Sequence, residues 1–322
     1  MKGMYKNMLT IYLLFILGFI LVIKGGDWFV DSAVEIAKIS GLPKIFIGAT
    51  IVSVATTLPE VIVSLTAANQ GHTTMAVGNA VGSMICNIGL ILSITAIFGT
   101  VKANTKDFKA KVAILVACTA ILFAFSYNGV ITRLEAMFLL VLLVFYMYTN
   151  LMMLKKNSEM KAKSKNIVVN RKELGRTMFY FVLGISAIIA GSNLMINNGV
   201  IIAEHLGVPE AVISLTLIAL GTSLPELVTG VSSLIKGNED IGLGNIIGAN
   251  ILNAVLVIGA SGTVTDLTII PQNISLDLPI ASLLTLILVI PAWIKKKVTK
   301  CQGIVMIIIY FAYIIYMWKT VL

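Results

Sequence analysis

The sequence predicts an all-α polytopic membrane protein, with ten transmembrane helices arranged as two inverted five-helix repeats. Three observations lead there. Of the 322 residues, 58% are hydrophobic and only 12% charged, and the mean hydropathy of +0.97 is too high for a soluble domain of this size. Ten stretches are long enough to cross a bilayer. Two signatures recur at a constant offset of 166 residues: Thr56-Thr57-Leu58-Pro59-Glu60 returns as Thr222-Ser223-Leu224-Pro225-Glu226, and Gly78-Asn79-Ala80-Val81-Gly82-Ser83 with Asn87 returns as Gly244-Asn245-Ile246-Ile247-Gly248-Ala249 with Asn253.

The spans fall near 8–25, 40–69, 73–99, 109–127, 131–153, 177–196, 207–236, 241–261, 275–294 and 302–320. The first apolar stretch, Met8 to Ile23, follows Lys2 and Lys6 as a signal peptide would. No small-residue cleavage site ends it and further membrane segments follow, so it reads as the first span. Ten spans put both termini on one side. With the termini outside, the cytoplasmic loops near 24–44, 100–111, 154–176, 236–240 and 295–300 collect 20 of the 24 Lys and Arg residues. Only Lys2, Lys6, Arg133 and Lys319 remain outside, so the positive-inside rule favours this orientation in a cell (inner or plasma) membrane. The net charge of +9 is therefore topology, and no nucleic-acid partner is implied. The basic run from Lys155 to Arg176 reads as a cytoplasmic linker (155–176) between a first repeat (1–154) and a second (177–322).

The duplication extends beyond the signatures. Gly25, Val34, Ile36, Ala37, Gly41, Pro43, Ile47 and Thr50 recur without a gap as Gly191, Val200, Ile202, Ala203, Gly207, Pro209, Ile213 and Thr216. Five spans separate equivalent points, and an odd number turns the second unit upside down. Inverted repeats of this kind are the architecture of secondary transporters, with the ion site at the midplane where the repeats meet.

The repeated motif has the chemistry of a cation site. Pro59 and Pro225 bring no N–H to the carbonyls of Ala55 and Gly221 and crowd the preceding turn, so both helices are expected to bend. Carbonyls of Ser53, Ala55, Thr56, Ala219, Gly221 and Thr222 then turn inward, which membrane depth tolerates only around a cavity or a partner. Glu60 and Glu226 supply two negative charges beside them. Calcium takes six to eight oxygens at about 2.3–2.6 Å, and two glutamates with threonine carbonyls meet that demand. Sodium needs less formal charge, and the hydroxyls of Thr57, Ser223 and Ser83 with the amides of Asn87 and Asn253 suit it. Magnesium, which keeps its water, and soft metals, which need His or Cys clusters, fit poorly. Two ionised carboxylates left empty at low dielectric would repel each other and resist crossing, so loading with calcium, sodium or protons would license the flip.

Other polar residues read more plainly. Gly78, Gly82, Gly244 and Gly248 are expected as helix-packing notches, and Asn79 and Asn245 as ties for the bent backbone. Asp27 and Asp31, echoed by Asn193 and Asn197, suggest interfacial polarity, and His72 a solvated connection. Cys86, Cys118 and Cys301 are odd in number and isolated, as packed free thiols are.

These residues resemble the calcium/cation antiporter superfamily, and within it the sodium/calcium exchangers of the prokaryotic type, whose two repeats carry Gly-Thr-Ser-Leu-Pro-Glu and Gly-Asn-x-x-Gly-Ser-Asn-Ile-x-Asn or Asp. The resemblance spans nearly the whole chain and implies four kinked helices around the ions, across which the long first helix of each half slides. It implies Glu60 and Glu226 as calcium ligands with the carbonyls of Thr56 and Thr222. It also implies the carbonyls of Ser53 and Ala219, with the hydroxyls of Thr57, Ser223 and Ser83, as sodium ligands, and Asn87 and Asn253 as flanking groups. Four departures stand out. Ala55-Thr56-Thr57 replaces Gly-Thr-Ser, Met84 replaces a frequent Asn, Ala249 replaces Ser and removes a hydroxyl, and Asn253 stands where potassium-dependent relatives have Asp.

The sequence therefore reads as a secondary active antiporter exchanging calcium for sodium by alternating access, with calcium/proton exchange as the alternative. It implies no enzyme, no cofactor and no evident protein partner, only Ca2+, Na+ or H+ and the lipid bilayer. A calcium channel could use the same glutamates, but channels are more often built from identical subunits around one axis. An intramembrane hydrolase would need a base and nucleophile or a metal dyad that the chain does not offer.

Overall fold

The computed structural model describes residues 8–39, 53–99, 101–102, 106–158, 171–235 and 239–319. In chain order these form α1 (Met8–Ile39), α2 (Ser53–Asn69), α3 (Thr73–Phe98), β1 (Val101–Lys102), α4 (Lys106–Ser126), β2 (Val130–Ile131), α5 (Arg133–Ser158), α6 (Arg171–Leu206), α7 (Glu210–Thr222) and α8 (Leu224–Ile235). There follow α9 (239–264), β3 (Leu267–Thr268), α10 (Asn273–Lys295), β4 (Lys297–Val298) and α11 (Lys300–Lys319). Among the described residues eight helices are long and apolar enough to cross a membrane, and the bent pair α7–α8 makes nine. The repeat positions Gly41, Pro43, Ile47 and Thr50, and most of the basic linker, lie outside the described residues.

α1 and α6 are longer than hydropathy suggests, at 32 and 36 residues. The apolar stretch of α1 ends near residue 25, but its helix continues to Ile39 with Asp31 exposed and Glu35 half-buried, a spacing that lets one face stay polar. The two helices run antiparallel and touch through glycine. A β-carbon on Gly18 would stand 2.8 Å from the Gly191 carbonyl oxygen, and one on Gly184 would stand 2.7 Å from that of Gly25. Removing side chains at these crossings lets the backbones approach directly. Phe29 and Phe181 stack beyond them with ring centres 4.8 Å apart.

Of the eight long spans, α3 and α9 form the interior: most of their residues are buried, whereas the other six turn the larger part of their surface outward. The outward faces are apolar, as with Leu13, Ile16 and Leu17 on α1 and Val141, Val144 and Phe145 on α5. Such rows suit a lipid surround. Both interior helices widen into a π-turn at matched places, over Asn87–Leu92 and Asn253–Val257. The prolines behave differently. The α7–α8 path bends by 44° at Ser223, and Pro225 falls in the first turn of α8, where a missing N–H costs least. α2 instead runs through Pro59 as one helix, because flanking turns can absorb a single lost bond. Two short antiparallel ribbons join distant parts of the chain, β1 with β4 and β2 with β3.

Candidate cation site

All eleven residues that the sequence marks are buried: Ser53, Thr56, Thr57 and Glu60 on α2, Ser83 and Asn87 on α3, Ala219, Thr222, Ser223 and Glu226 along α7–α8, and Asn253 on α9. Side-chain contacts knit the four helix paths together. Ser223 Oγ donates to Glu60 Oε1 at 3.1 Å, joining α2 to the α7–α8 bend. Ser83 Oγ lies 3.4 Å from Thr222 Oγ1, joining α3 to α7. Thr222 Oγ1 also reaches Asn79 Oδ1 (3.1 Å) and the Ala219 carbonyl (3.2 Å), and Thr56 Oγ1 mirrors the latter bond onto the Ser53 carbonyl at 3.3 Å. Asn79 holds the backbone of α2, donating to the Glu60 carbonyl at 3.2 Å and to Ser64 Oγ at 2.9 Å. Asn245 does similar work in the second half by donating to Thr229 Oγ1 at 3.0 Å.

What these contacts leave over is informative. Glu60 Oε2, both oxygens of Glu226, Thr57 Oγ1, Asn87 Oδ1, Asn245 Oδ1 and both polar atoms of Asn253 are buried without a hydrogen-bond partner. All but one of them are oxygens. Buried polar atoms are almost always paired, and an unpaired buried charge is costlier still. Acceptors cannot satisfy one another, and Glu226 lies within range of the Glu60 charge. A set of buried oxygens that includes two carboxylates, with only the Thr57 hydroxyl and the Asn253 amide as donors, is satisfied by a desolvated hard cation. No group of three His, Cys, Asp or Glu residues gathers among the described residues, so carbonyl, hydroxyl and amide oxygens must complete any coordination.

Some residues sit differently from the sequence reading. His72 is half-buried and pairs through Nδ1 with Glu210 Oε2 at 3.0 Å, tying the α2–α3 turn to the start of α7. Cys301 is exposed, while Cys86 and Cys118 are packed. Lys111, grouped by sequence with a loop, is buried in α4. Asp27 faces Lys24 at 3.5 Å, and Asp31 lines a cleft between α1 and α6 with Glu35 and Arg176.

Two buried polar clusters were missed. Asn250 accepts from Asn87 Nδ2 at 3.0 Å and donates to the Met84 carbonyl at 3.1 Å, cross-linking the interior helices beside their π-turns. The departure at Met84, its equivalent in the first half, was the available signal. Asp277 on α10 is fully buried and accepts from Tyr313 Oη (2.9 Å), Asn273 Nδ2 (2.8 Å) and Gln272 Nε2 (3.3 Å). A carboxylate within an apolar span was the signal there, but its partners are remote in sequence or spaced as any helix is.

Comparison with known proteins bears on this arrangement. A model of the family described as "Sodium/calcium exchanger protein" matches residues 10–152 and again residues 176–319. The chain is 33% identical over 295 residues to the inner membrane protein YrbG of Escherichia coli, covering 89% of this chain and 90% of YrbG. It is 31% identical to the sodium/calcium exchanger MaX1 of Methanosarcina acetivorans, covering 96% of this chain and 99% of MaX1. Its structure is similar to that of the sodium-calcium exchanger NCX_Mj soaked with Na+ and Sr2+, with a TM-score of 0.68 at 26% identity over 95% of this chain and 98% of the other.

Proposed function

The chain belongs to the sodium/calcium exchanger family, and we propose that it is a secondary active antiporter that moves calcium against sodium by alternating access. The observation that carries this is the cluster of unpaired buried oxygens around Glu60 and Glu226. In this reading both glutamates and the carbonyls of Thr56 and Thr222 hold calcium. The carbonyls of Ser53 and Ala219, with Thr57, Ser83 and Ser223, serve sodium, and Asn87 and Asn253 flank the centre. The two carboxylates match the charge of one calcium ion. Emptied, they would each cost several kcal/mol at about the dielectric of the interior, so unloaded crossing is suppressed and exchange becomes obligatory.

Ten spans in two inverted halves, divided by residues 155–176, suit this mechanism. The antiparallel glycine contacts of α1 and α6 support it, since Gly18 and Gly184, and Gly25 and Gly191, are each 166 residues apart. A crossing in which backbone meets backbone holds α1 and α6 together as one pair that can shift against the interior helices. Outward termini and a cytoplasmic basic linker follow from the charge distribution.

Calcium/proton exchange is the second reading, favoured by the bond from Ser223 to Glu60, which leaves one glutamate partly satisfied without any metal. The experiment is a gradient swap in inside-out vesicles. Calcium movement that follows an imposed sodium gradient supports the first reading. Movement driven by a pH gradient alone, with sodium inert, replaces it with the second.

A further inference from the structure

The two halves of the site differ by an exchange of serine and alanine. In the first half-site Ser83 Oγ faces Thr222 Oγ1, whose own bond goes to the carbonyl of Ala219. In the second, Thr56 Oγ1 bonds to the carbonyl of Ser53, and the equivalent of Ser83 is Ala249, which has no hydroxyl. The hydroxyl missing at 249 thus reappears on the opposing helix, at the position equivalent to Ala219.

The Ser53 side chain is aimed at α9. Its Oγ donates to the Asn245 carbonyl at 3.5 Å, and a β-carbon on Gly248 would stand only 2.6 Å from it. Only glycine admits this approach one residue before Ala249. The same spot is reached from α5 by Tyr146, whose Oη would lie 3.2 Å from that β-carbon. Tyr146 is 1% exposed and its hydroxyl has no hydrogen-bond partner, and the neighbouring Asn245 Oδ1 has none either. The first half-site packs the same way but without the hydroxyl: a β-carbon on Gly82 would meet the Ala219 methyl at 2.8 Å and the Leu215 carbonyl at 2.5 Å.

We propose that the Ser53 hydroxyl, seated against Gly248, supplies the second half-site with the monovalent-cation ligand that Ala249 lacks, and that the unpaired Tyr146 Oη beside it donates to Ser53 Oγ once the ion is bound. Each half-site then keeps one serine hydroxyl, carried by α3 in the first and by α2 in the second. Ser53 becomes a specificity-determining residue through its side chain as well as its carbonyl, and Tyr146 a positioning residue outside both signatures. This inference rests on the sodium-coupled reading.

The test is calcium–calcium exchange in vesicles, inhibited by graded sodium. Ser53→Ala should raise the sodium inhibition constant about tenfold, the loss expected for one hydroxyl on a charged ion, and by more than it raises calcium half-saturation. Tyr146→Phe should raise it about threefold, the smaller effect of releasing a hydroxyl rather than deleting it. The swap Ser53→Ala with Ala249→Ser should bring it back to within about twofold of the parent, which a purely structural role for Ser53 would not do. Should Ser53→Ala fail to fold, Ala249→Ser alone should lower the constant by adding a hydroxyl, and no change would overturn the assignment. Single variants that leave the constant unmoved, or a swap that does not restore it, also overturn it. A parent inhibited by sodium but indifferent to these changes refutes only this assignment. A parent that sodium does not inhibit refutes the sodium-coupled reading with it.

Discussion

Glu226→Gln preserves shape while removing charge, so it separates electrostatics from packing at the site. Both Glu226 oxygens are buried without a hydrogen bond of ordinary geometry, within range of the Glu60 charge. Glutamine would delete that repulsion and convert one acceptor into an NH2 group for a nearby orphan oxygen such as Thr57 Oγ1. Relieving an uncompensated buried charge is worth on the order of 3 kcal/mol, so the ion-free protein should gain stability. Calcium loses a similar amount of attraction, equivalent to about a 100-fold weaker affinity. The measurement is thermal unfolding of detergent-solubilised protein at alkaline pH, where protons do not compete, across a calcium titration. The parent should start at a low midpoint and climb with calcium, as mass action requires. The variant should start higher and stay flat until calcium is about 100 times more concentrated. A variant that unfolds earlier than the parent without calcium, or that responds at the same concentration, would refute the view that these oxygens wait for a cation.

Three further outcomes follow from the same geometry. Gly191→Ala would put a β-carbon 2.6 Å from the Gly18 carbonyl oxygen. Overpacking of about 1–3 kcal/mol should slow exchange by roughly tenfold with little change in calcium half-saturation, and equal changes in both would remove α1–α6 from the transport step. Tyr313→Phe takes one of three donors from Asp277 and should lower ion-free thermal stability by about 1–3 kcal/mol; an unchanged midpoint would mean that water replaces the hydroxyl. Asn250→Met copies its equivalent Met84 and strips both cross-links to α3, so a similar loss is expected, accompanied by faster amide hydrogen exchange around the π-turns.

The sequence carried the site further than it carried the backbone that shapes it. That Glu60, Glu226 and their threonine and serine neighbours form a buried candidate site was legible because a repeated motif in an apolar setting leaves few other roles for a carboxylate. The inequivalence of the two prolines was not legible. Pro59 and Pro225 sit in the same motif, yet one lies within a helix and the other just after a break, a difference that neighbouring helices impose. The π-turns were invisible because Asn87 and Asn253 begin them without any residue type that demands the wider turn. Tyr146 was hidden for another reason: on α5 it looks like one more aromatic in a lipid-facing helix, and only the fold turns its hydroxyl toward Gly248. The polar extension of α1 beyond residue 25 likewise escaped a hydropathy reading, which registers apolar length and not helix length.

The two small ribbons have a mechanical consequence. β1 precedes α4 and β2 follows it, so this helix is pinned at both ends, to β4 at one and to β3 at the other. Any slip of α4 along its axis against α9 or α10 would have to break backbone hydrogen bonds. The loops of α3, α4, α5, α9, α10 and α11 are fastened in this way into a frame. Neither α1 nor α6 takes part in such a pin among the described residues, and the two meet each other glycine to glycine. Each half contributes three fastened helices to that frame, while α1 and α2 in the first half and α6, α7 and α8 in the second adjoin no ribbon. Under the proposed alternating-access mechanism, cross-linking the ribbons would leave transport intact, while a bond between α1 and the frame would arrest it.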